Sequence, residues 1–262
     1  MRPTAQPRVA PVHDPHRHRG LPFSSRMAQG RRVKRTHHLV LTLLGLWLAG
    51  CASNRRAGDW QPLFQKEGTP EGWTVRLWSD ASKPGPTGAV WKVDGGSLKA
   101  VGARGSWLMW ERELGDFEME FEFLLGQVGN CGLALRAPMK GDPAFEGLEL
   151  QMADLRYNPK AKDSELTGGL YRSAAPSRQV YKPTEWNRYR IRLVGSKAWV
   201  ELNGVVVQDL DLSTFNDPIQ RHDGTMAAPL KNRPRRGHIG FQHLSRRDEP
   251  VEIRNARIRI LD

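Results

Sequence analysis

Between Phe117 and Phe123 the chain reads FEMEFEF, with Phe117, Met119, Phe121 and Phe123 alternating with Glu118, Glu120 and Glu122. A period of two places every second side chain on the same side of an extended backbone, so this segment is a strand with one apolar and one polar face. The same period recurs along the chain. Cys131, Leu133 and Leu135 alternate with Asn130, Gly132, Ala134 and Arg136; Leu148, Leu150 and Met152 alternate with Glu149 and Gln151. Tyr189, Ile191 and Leu193 alternate with Arg188, Arg190 and Arg192, and Lys197 to Leu202 leads into Asn203-Gly204. That dipeptide between two β-like runs predicts a type I′ hairpin, because both of its residues accept positive φ. Val251 and Ile253 hold one phase while Ala256, Ile258 and Ile260 hold the other, which predicts a bulge near Arg254 and Asn255. Further short β-like stretches cover 73–77, 90–93, 97–101 and 107–110, and no convincing run of helical period exceeds ten residues. Many short strands without a long helix predict an all-β sandwich or barrel in a single domain.

The first fifty residues carry nine Lys or Arg, one acid (Asp14) and no apolar period before Leu39. From Leu39 the sequence becomes LVLTLLGLWLAGC, preceded by Arg31, Arg32, Lys34 and Arg35. A basic cluster followed by about a dozen apolar residues reads as a signal peptide, too short to span a bilayer. Its end, Leu48-Ala49-Gly50-Cys51, is similar to the lipobox of bacterial lipoproteins, which predicts cleavage before Cys51 and lipidation of that residue. Met27, just ahead of the basic cluster, is the alternative start to Met1. Residues 52–59 (ASNRRAGD) are small and polar, as a tether should be, and the domain is expected over 60–262. Ala52 after the lipidated Cys suits sorting to the outer membrane, with the domain facing the periplasm or exterior.

This partition changes the electrostatics. The whole chain has 40 basic and 28 acidic residues, net +12. Without residues 1–51 it keeps 31 basic and 27 acidic, net +4. Most of the basicity belongs to the targeting segment, so no nucleic-acid partner is expected. Arg233, Arg235, Arg236, Arg246 and Arg247 read as solvated loop charges, and Glu118, Glu120 and Glu122 as a solvated strand face. Once Cys51 is lipidated, Cys131 stands alone in an apolar strand phase, which excludes a disulfide framework and a thiolate metal site.

If the strands holding Asn130 and Glu149 are antiparallel neighbours, Asn130, Arg136, Glu149 and Gln151 share one polar face, the candidate site. The succession LF…GW (Leu63, Phe64, Gly72, Trp73), WKVDGGSL (from Trp91), GDFEMEFEF (from Gly115), GNCGLALRA, GLELQMAD, TGGLYRSAAP (from Thr167), EWNRYRI (from Glu185), ELNGVVV (from Glu201), HIGFQH (from His238) and VEIRNARIRIL (from Val251) resembles the 3-keto-disaccharide hydrolase (DUF1080) family. The resemblance covers nearly the whole of 60–262, in order. It implies a concanavalin A-like jelly-roll sandwich that cleaves 3-keto glycosides. A ketone at C3 acidifies the C2 proton, so a base can remove it, the C1 oxygen can leave, and water can add to the product. The resemblance implies Glu149 as base or acid with Asp154 as its partner. It further implies Gln151 and Asn130 as sugar hydrogen-bonders, Arg136 as a clamp on the enolate or a hydroxyl, and Tyr171, Gln242 and His243 closing the pocket. Where the family often has Gln-Asp-His-Gly, this chain reads Gln242-His243-Leu244-Ser245.

Two other readings stand beside it. Glu149 to Asp154 also resembles the acid-x-Asp-x-x-acid strand of retaining jelly-roll glucanases, with Gln151 in the place of the middle Asp. A non-catalytic carbohydrate-binding module on the same fold would use Trp107 and Trp110 as stacking platforms. No His or Cys pair has ligand spacing; no cofactor is expected, a hard divalent cation on Asn, Glu and Asp oxygens stays open, and no metal is assigned. With no phosphate loop or nucleotide fingerprint in the chain, the resemblance implies that a separate sugar-3-oxidising enzyme supplies the substrate.

Overall fold

The computed structural model describes residues 58–247 and 249–262. The signal segment, Cys51 and most of the tether lie outside the described residues. Sixteen strands follow in order: β1 (Gln61–Pro62), β2 (Trp73–Leu77), β3 (Asp80–Pro84), β4 (Ala89–Asp94), β5 (Ser97–Gly102), β6 (Ser106–Trp110), β7 (Phe117–Leu125) and β8 (Asn130–Ala137). After a one-turn helix, α1 (Pro143–Glu146), come β9 (Leu148–Ala153), β10 (Asn187–Val194), β11 (Lys197–Leu202), β12 (Val205–Asp211), β13 (Ile219–Gln220), β14 (Met226–Ala227), β15 (His238–His243) and β16 (Val251–Ile260). They form a concanavalin A-like jelly-roll sandwich. One sheet runs β12-β11-β10-β7-β16-β5-β4, with β1 added beside β16; the other runs β3-β2-β6-β15-β8-β9. Among the described residues no helix is long and apolar enough to cross a membrane.

The inner faces meet in one core. Phe117, Met119, Phe121 and Phe123 of β7 are all buried, and Phe121 meets Phe241 of β15 edge-on at 5.3 Å across the sheets. Tyr189 of β10 stacks on Phe123 at 5.1 Å, and its hydroxyl donates to the Gln151 carbonyl on β9, which ties the sheets with a polar bond inside an apolar layer.

The hairpin and the bulge fall where the pattern predicts them. Asn203 and Gly204 have φ of 53° and 82° and join β11 to β12. On β16 the register with β7 shifts between Arg254 and Arg257, with Asn255 at φ 53°.

The glutamates of β7 are less solvated than the alternation suggests. Arg188, Arg190 and Arg192 of β10 flank them on one side, and Arg254, Arg257 and Arg259 of β16 on the other. Glu118 pairs with Arg192 and Arg259, Glu120 with Arg188 and Arg257, and Glu122 with Arg254. Glu120 is only 6% exposed. The outer face is a cross-strand ladder of opposite charges.

Candidate active site

The outer face of the six-stranded sheet carries the candidate site, on β15, β8 and β9. The register opposes Gly132 to Gln151 and Ala134 to Glu149, and also Phe241 to Leu133 and Gly240 to Ala134. One rung across the three strands is therefore Gln242, Gly132, Gln151, and the next is Gly240, Ala134, Glu149. Gln242, Gln151 and Glu149 surround the small residues Gly132, Ala134 and Gly240, so the floor between them is hollow. Gly132 makes that hollow possible: a Cβ there would lie 1.8 Å from Glu149 Oε1.

All residues of β8 and β9 are buried, on the polar face as well as the apolar one, because loops roof the outer face. The 167–171 segment runs along the open edge of β9, with Thr167, Gly168 and Tyr171 amides donating to the carbonyls of Ala153, Gln151 and Glu149. Asp142 caps α1 by accepting the Ala144 amide at 3.0 Å, and Pro143 follows at the first helical position. Between floor and roof lies a pocket of about 330 Å³. Asn130, Glu149, Gln151 and Gln242 line it from the sheet, and Trp78, Arg104, Asp142, Tyr157, Tyr171 and His222 from the loops.

The pocket holds two carboxyl groups in unlike surroundings. Glu149 is 4% exposed, and its Oε1 has no hydrogen-bond partner among the described residues. Burial, and then the charge of Asp142, push its pKa well above the ordinary carboxylate range. Asp142 is raised to about 6, chiefly by burial, with the Ala144 amide pulling the other way. Asp142 therefore ionises first, and its charge helps to hold the proton on Glu149. Asn130 Oδ1 is also buried without a partner among the described residues, and the Met152 amide donates to Gln151 Oε1. Burial raises the Tyr171 hydroxyl pKa, and Glu149 adds to the effect, so the phenol remains a donor.

His222 sits in an aromatic wall, 5.3 Å from the Phe145 ring and 5.8 Å from both Tyr171 and Trp78. Burial, followed by the charge of Arg172, lowers its pKa, so the imidazole is neutral at pH 7. Arg104 donates to the Leu244 carbonyl and to the Tyr157 hydroxyl, closing the opposite end.

Five of the eight residues expected to act on or bind substrate line this pocket: Glu149, Gln151, Asn130, Tyr171 and Gln242. Three do not, each for a backbone reason. Arg136 has φ of 51°, and between His238 and Gly240 the register sets two residues of β8, Leu135 and Arg136, against one of β15, Ile239, a bulge that reverses the phase of the strand. Its fully buried guanidinium donates to the Gly115 and Gly195 carbonyls and to Asp116, tying β8 to loops of the other sheet. Asp154 lies one residue beyond β9, where it accepts from the Arg156 backbone and side chain in a turn. His243 follows Gln242 on the same strand and so points inward, where its ring meets Trp91 edge-on at 6.3 Å. Trp107 is likewise no stacking platform, being fully buried with its indole N–H on the Trp78 carbonyl, and Trp110 stacks on Trp73.

Sequence reasoning missed Asp142, His222, Trp78, Tyr157 and Arg104. Asp142-Pro143 is a legible helix-start signal, but nothing local shows that the start faces Glu149. His222 is a single loop histidine with no spacing partner. Among the described residues, no group of three or more His, Cys, Asp or Glu could hold a metal ion.

A search of the curated proteins returns no match. Solved structures are more informative. A candidate glycosyl hydrolase from Parabacteroides distasonis is 26% identical over 78% of this chain and 100% of its own, with a TM-score of 0.63. A second from that organism, at 20% identity over 78% and 95%, has a TM-score of 0.59 and shows the shared fold. The family model for the 3-keto-alpha-glucoside-1,2-lyase-like domain matches residues 59–259, so the chain belongs to that family.

Proposed function

We propose that this pocket cleaves the glycosidic bond of 3-keto glycosides by elimination and rehydration, with Asp142 as base and Glu149 as acid. The observation that carries the reading is Glu149: a buried carboxyl whose Oε1 has no hydrogen-bond partner among the described residues, over a hollow made by Gly132, beside a second carboxyl that ionises first. Two titratable groups whose surroundings separate their pKa values define an acid and a base. Asp142 takes the place the sequence reading assigned to Asp154.

The steps balance. The Asp142 carboxylate takes the C2 proton, which the C3 ketone acidifies. The C2–H electron pair becomes the C1–C2 double bond as the C1–O bond breaks, and Glu149 gives its proton to the departing oxygen. In the reverse sense, Glu149 takes a proton from water as the oxygen adds to C1, and Asp142 returns its proton to C2. The amides of Asn130, Gln151 and Gln242 and the Tyr171 hydroxyl hydrogen-bond sugar oxygens and the enolate that develops at C3. A separate oxidising enzyme supplies the 3-keto sugar.

The test compares a 3-keto disaccharide with its unoxidised parent, with and without Glu149→Gln. Release from the keto sugar alone, weakened in the variant, supports the reading. Release from the parent sugar instead indicates conventional glycoside hydrolysis, and binding without release indicates a carbohydrate-binding module. We further propose that the chain is an exported lipoprotein anchored through Cys51, on the Leu48-Ala49-Gly50-Cys51 motif; labelled palmitate incorporation that survives Cys51→Ala refutes it.

A further inference from the structure

The opposite face of the sandwich bears a second concavity, of about 390 Å³, that the chemistry at Glu149 does not use. Trp199 of β11 forms one wall and Trp60 the other. A single rung runs beneath them, with Trp199 opposite Arg192, Arg192 opposite Glu118, and Glu118 opposite Arg259. Four neighbouring strands spaced about 4.8 Å put the backbones of Trp199 and Arg259 roughly 14 Å apart, and Trp60, just ahead of β1 on the far side of β16, closes that end. Trp60 is held in place by Arg257 and Arg259, whose guanidinium carbons lie 4.9 and 5.2 Å from its ring centre.

The charges of the floor decide what fits. Arg192 pairs with Glu118 at 2.8 Å, Lys197 with Asp211 at 3.1 Å, and Arg190 with Glu120 and Glu201 at 3.7 Å each. Each cation lining the groove has a carboxylate, so an anionic ligand would have to compete with a partner already in place. The guanidiniums of Arg190 and Arg192 remain about half exposed. Each has five N–H donors in a fixed fork, more than its carboxylates engage. A polar but uncharged ligand with flat apolar faces suits this combination: its hydroxyls accept from the guanidiniums and donate to the carboxylates, and its ring faces lie on the indoles. We propose that the groove between Trp60 and Trp199 binds a neutral oligosaccharide, at a site separate from the cleavage pocket.

The experiment follows the tryptophan indole resonances of the whole chain during titration with neutral gluco-oligosaccharides of several linkages, and with a uronate oligosaccharide. Trp199→Phe and Trp60→Phe assign the signals. The expected result is that at least one neutral oligosaccharide shifts both indoles at millimolar concentration, little affected by salt. Trp199→Ala should then weaken binding at least tenfold and leave cleavage in the first pocket unchanged. Shifts confined to Trp78 place the sugar in the first pocket only and overturn the proposal, as does silence from both indoles. Salt-sensitive binding of the uronate in preference overturns the charge argument and with it the ligand class. The shifts on the unaltered chain decide the matter even if Trp199→Ala does not fold.

Discussion

Replacing Gly132 by alanine isolates the position of the Glu149 carboxyl from its chemistry. Gly132 lies within β8 and has no positive φ, so alanine meets no backbone strain there and only space opposes it. The added Cβ would lie 1.8 Å from Oε1, 2.7 Å from Cδ and 2.9 Å from Cγ of Glu149. Ordinary contact begins at 3.4 Å, so the carboxyl oxygen must retreat by 1.6 Å. A displacement of that order in a reacting group costs about 100-fold in rate, or about 2.7 kcal/mol in the barrier. One extra methyl in a packed site costs about 1–3 kcal/mol of stability, or about 2–12 °C in Tm for a domain of this size. The assay is kcat/KM on a 3-keto disaccharide beside a thermal melt, for Gly132→Ala, Glu149→Gln and the double variant. If the methyl acts through Glu149, the double variant is no slower than Glu149→Gln alone, since the two changes disable one group. Activity of Gly132→Ala within twofold of the parent refutes the placement of the carboxyl. Full additivity in the double variant shows that the methyl acts on something else.

As an acid, Glu149 matters most when the departing oxygen needs a proton, so Glu149→Gln should slow a 3-keto alkyl glycoside at least 100-fold but a 3-keto nitrophenyl glycoside by less than tenfold; equal losses on both assign Glu149 to the base instead. With Asp142 as base, kcat/KM should rise with pH through about 6, and Asp142→Asn should remove that rising limb along with most of the rate; an unchanged limb assigns it elsewhere. The Asp142 carboxyl binds its proton more tightly folded than unfolded, so its own contribution to folding stability should fall as pH rises from the ordinary value of 3.8 to about 6, by about 3 kcal/mol. Asp142→Asn should remove that share of the pH dependence in denaturant melts at fixed pH, leaving the share of Glu149, and an unaltered dependence refutes its origin in Asp142. Arg136→Met leaves the Gly115 and Gly195 carbonyls without this donor and the Asp116 carboxylate without its cation, keeping only the Gly195 amide, and should cost about 3 kcal/mol, or about 6–12 °C in Tm. With folding restored at low temperature, its KM for the keto sugar should match the parent's; a raised KM returns Arg136 to the site.

Much of the architecture is legible in the amino-acid sequence because its signals are local. A period of two needs only near neighbours, so β7, β8, β9, β10 and β16 can be read directly, as can the Asn203-Gly204 turn and the phase change at Asn255. The outward direction of Glu149 and Gln151 is local in the same sense. What only the tertiary structure decides depends on partners distant in the chain. The bulge that turns Arg136 inward exists because β8 must match β15, about a hundred residues later, and alternation alone assigns that side chain to the wrong face. His243 and Gln242 are adjacent polar residues in the sequence, and their strand phase, set by pairing with β6 and β8, sends one to Trp91 and the other to the pocket. Asp142 becomes a neighbour of Glu149 through the packing of α1 on β8 and β9. The ionisation order that defines acid and base arises from burial, which belongs to the assembled fold and to no residue alone.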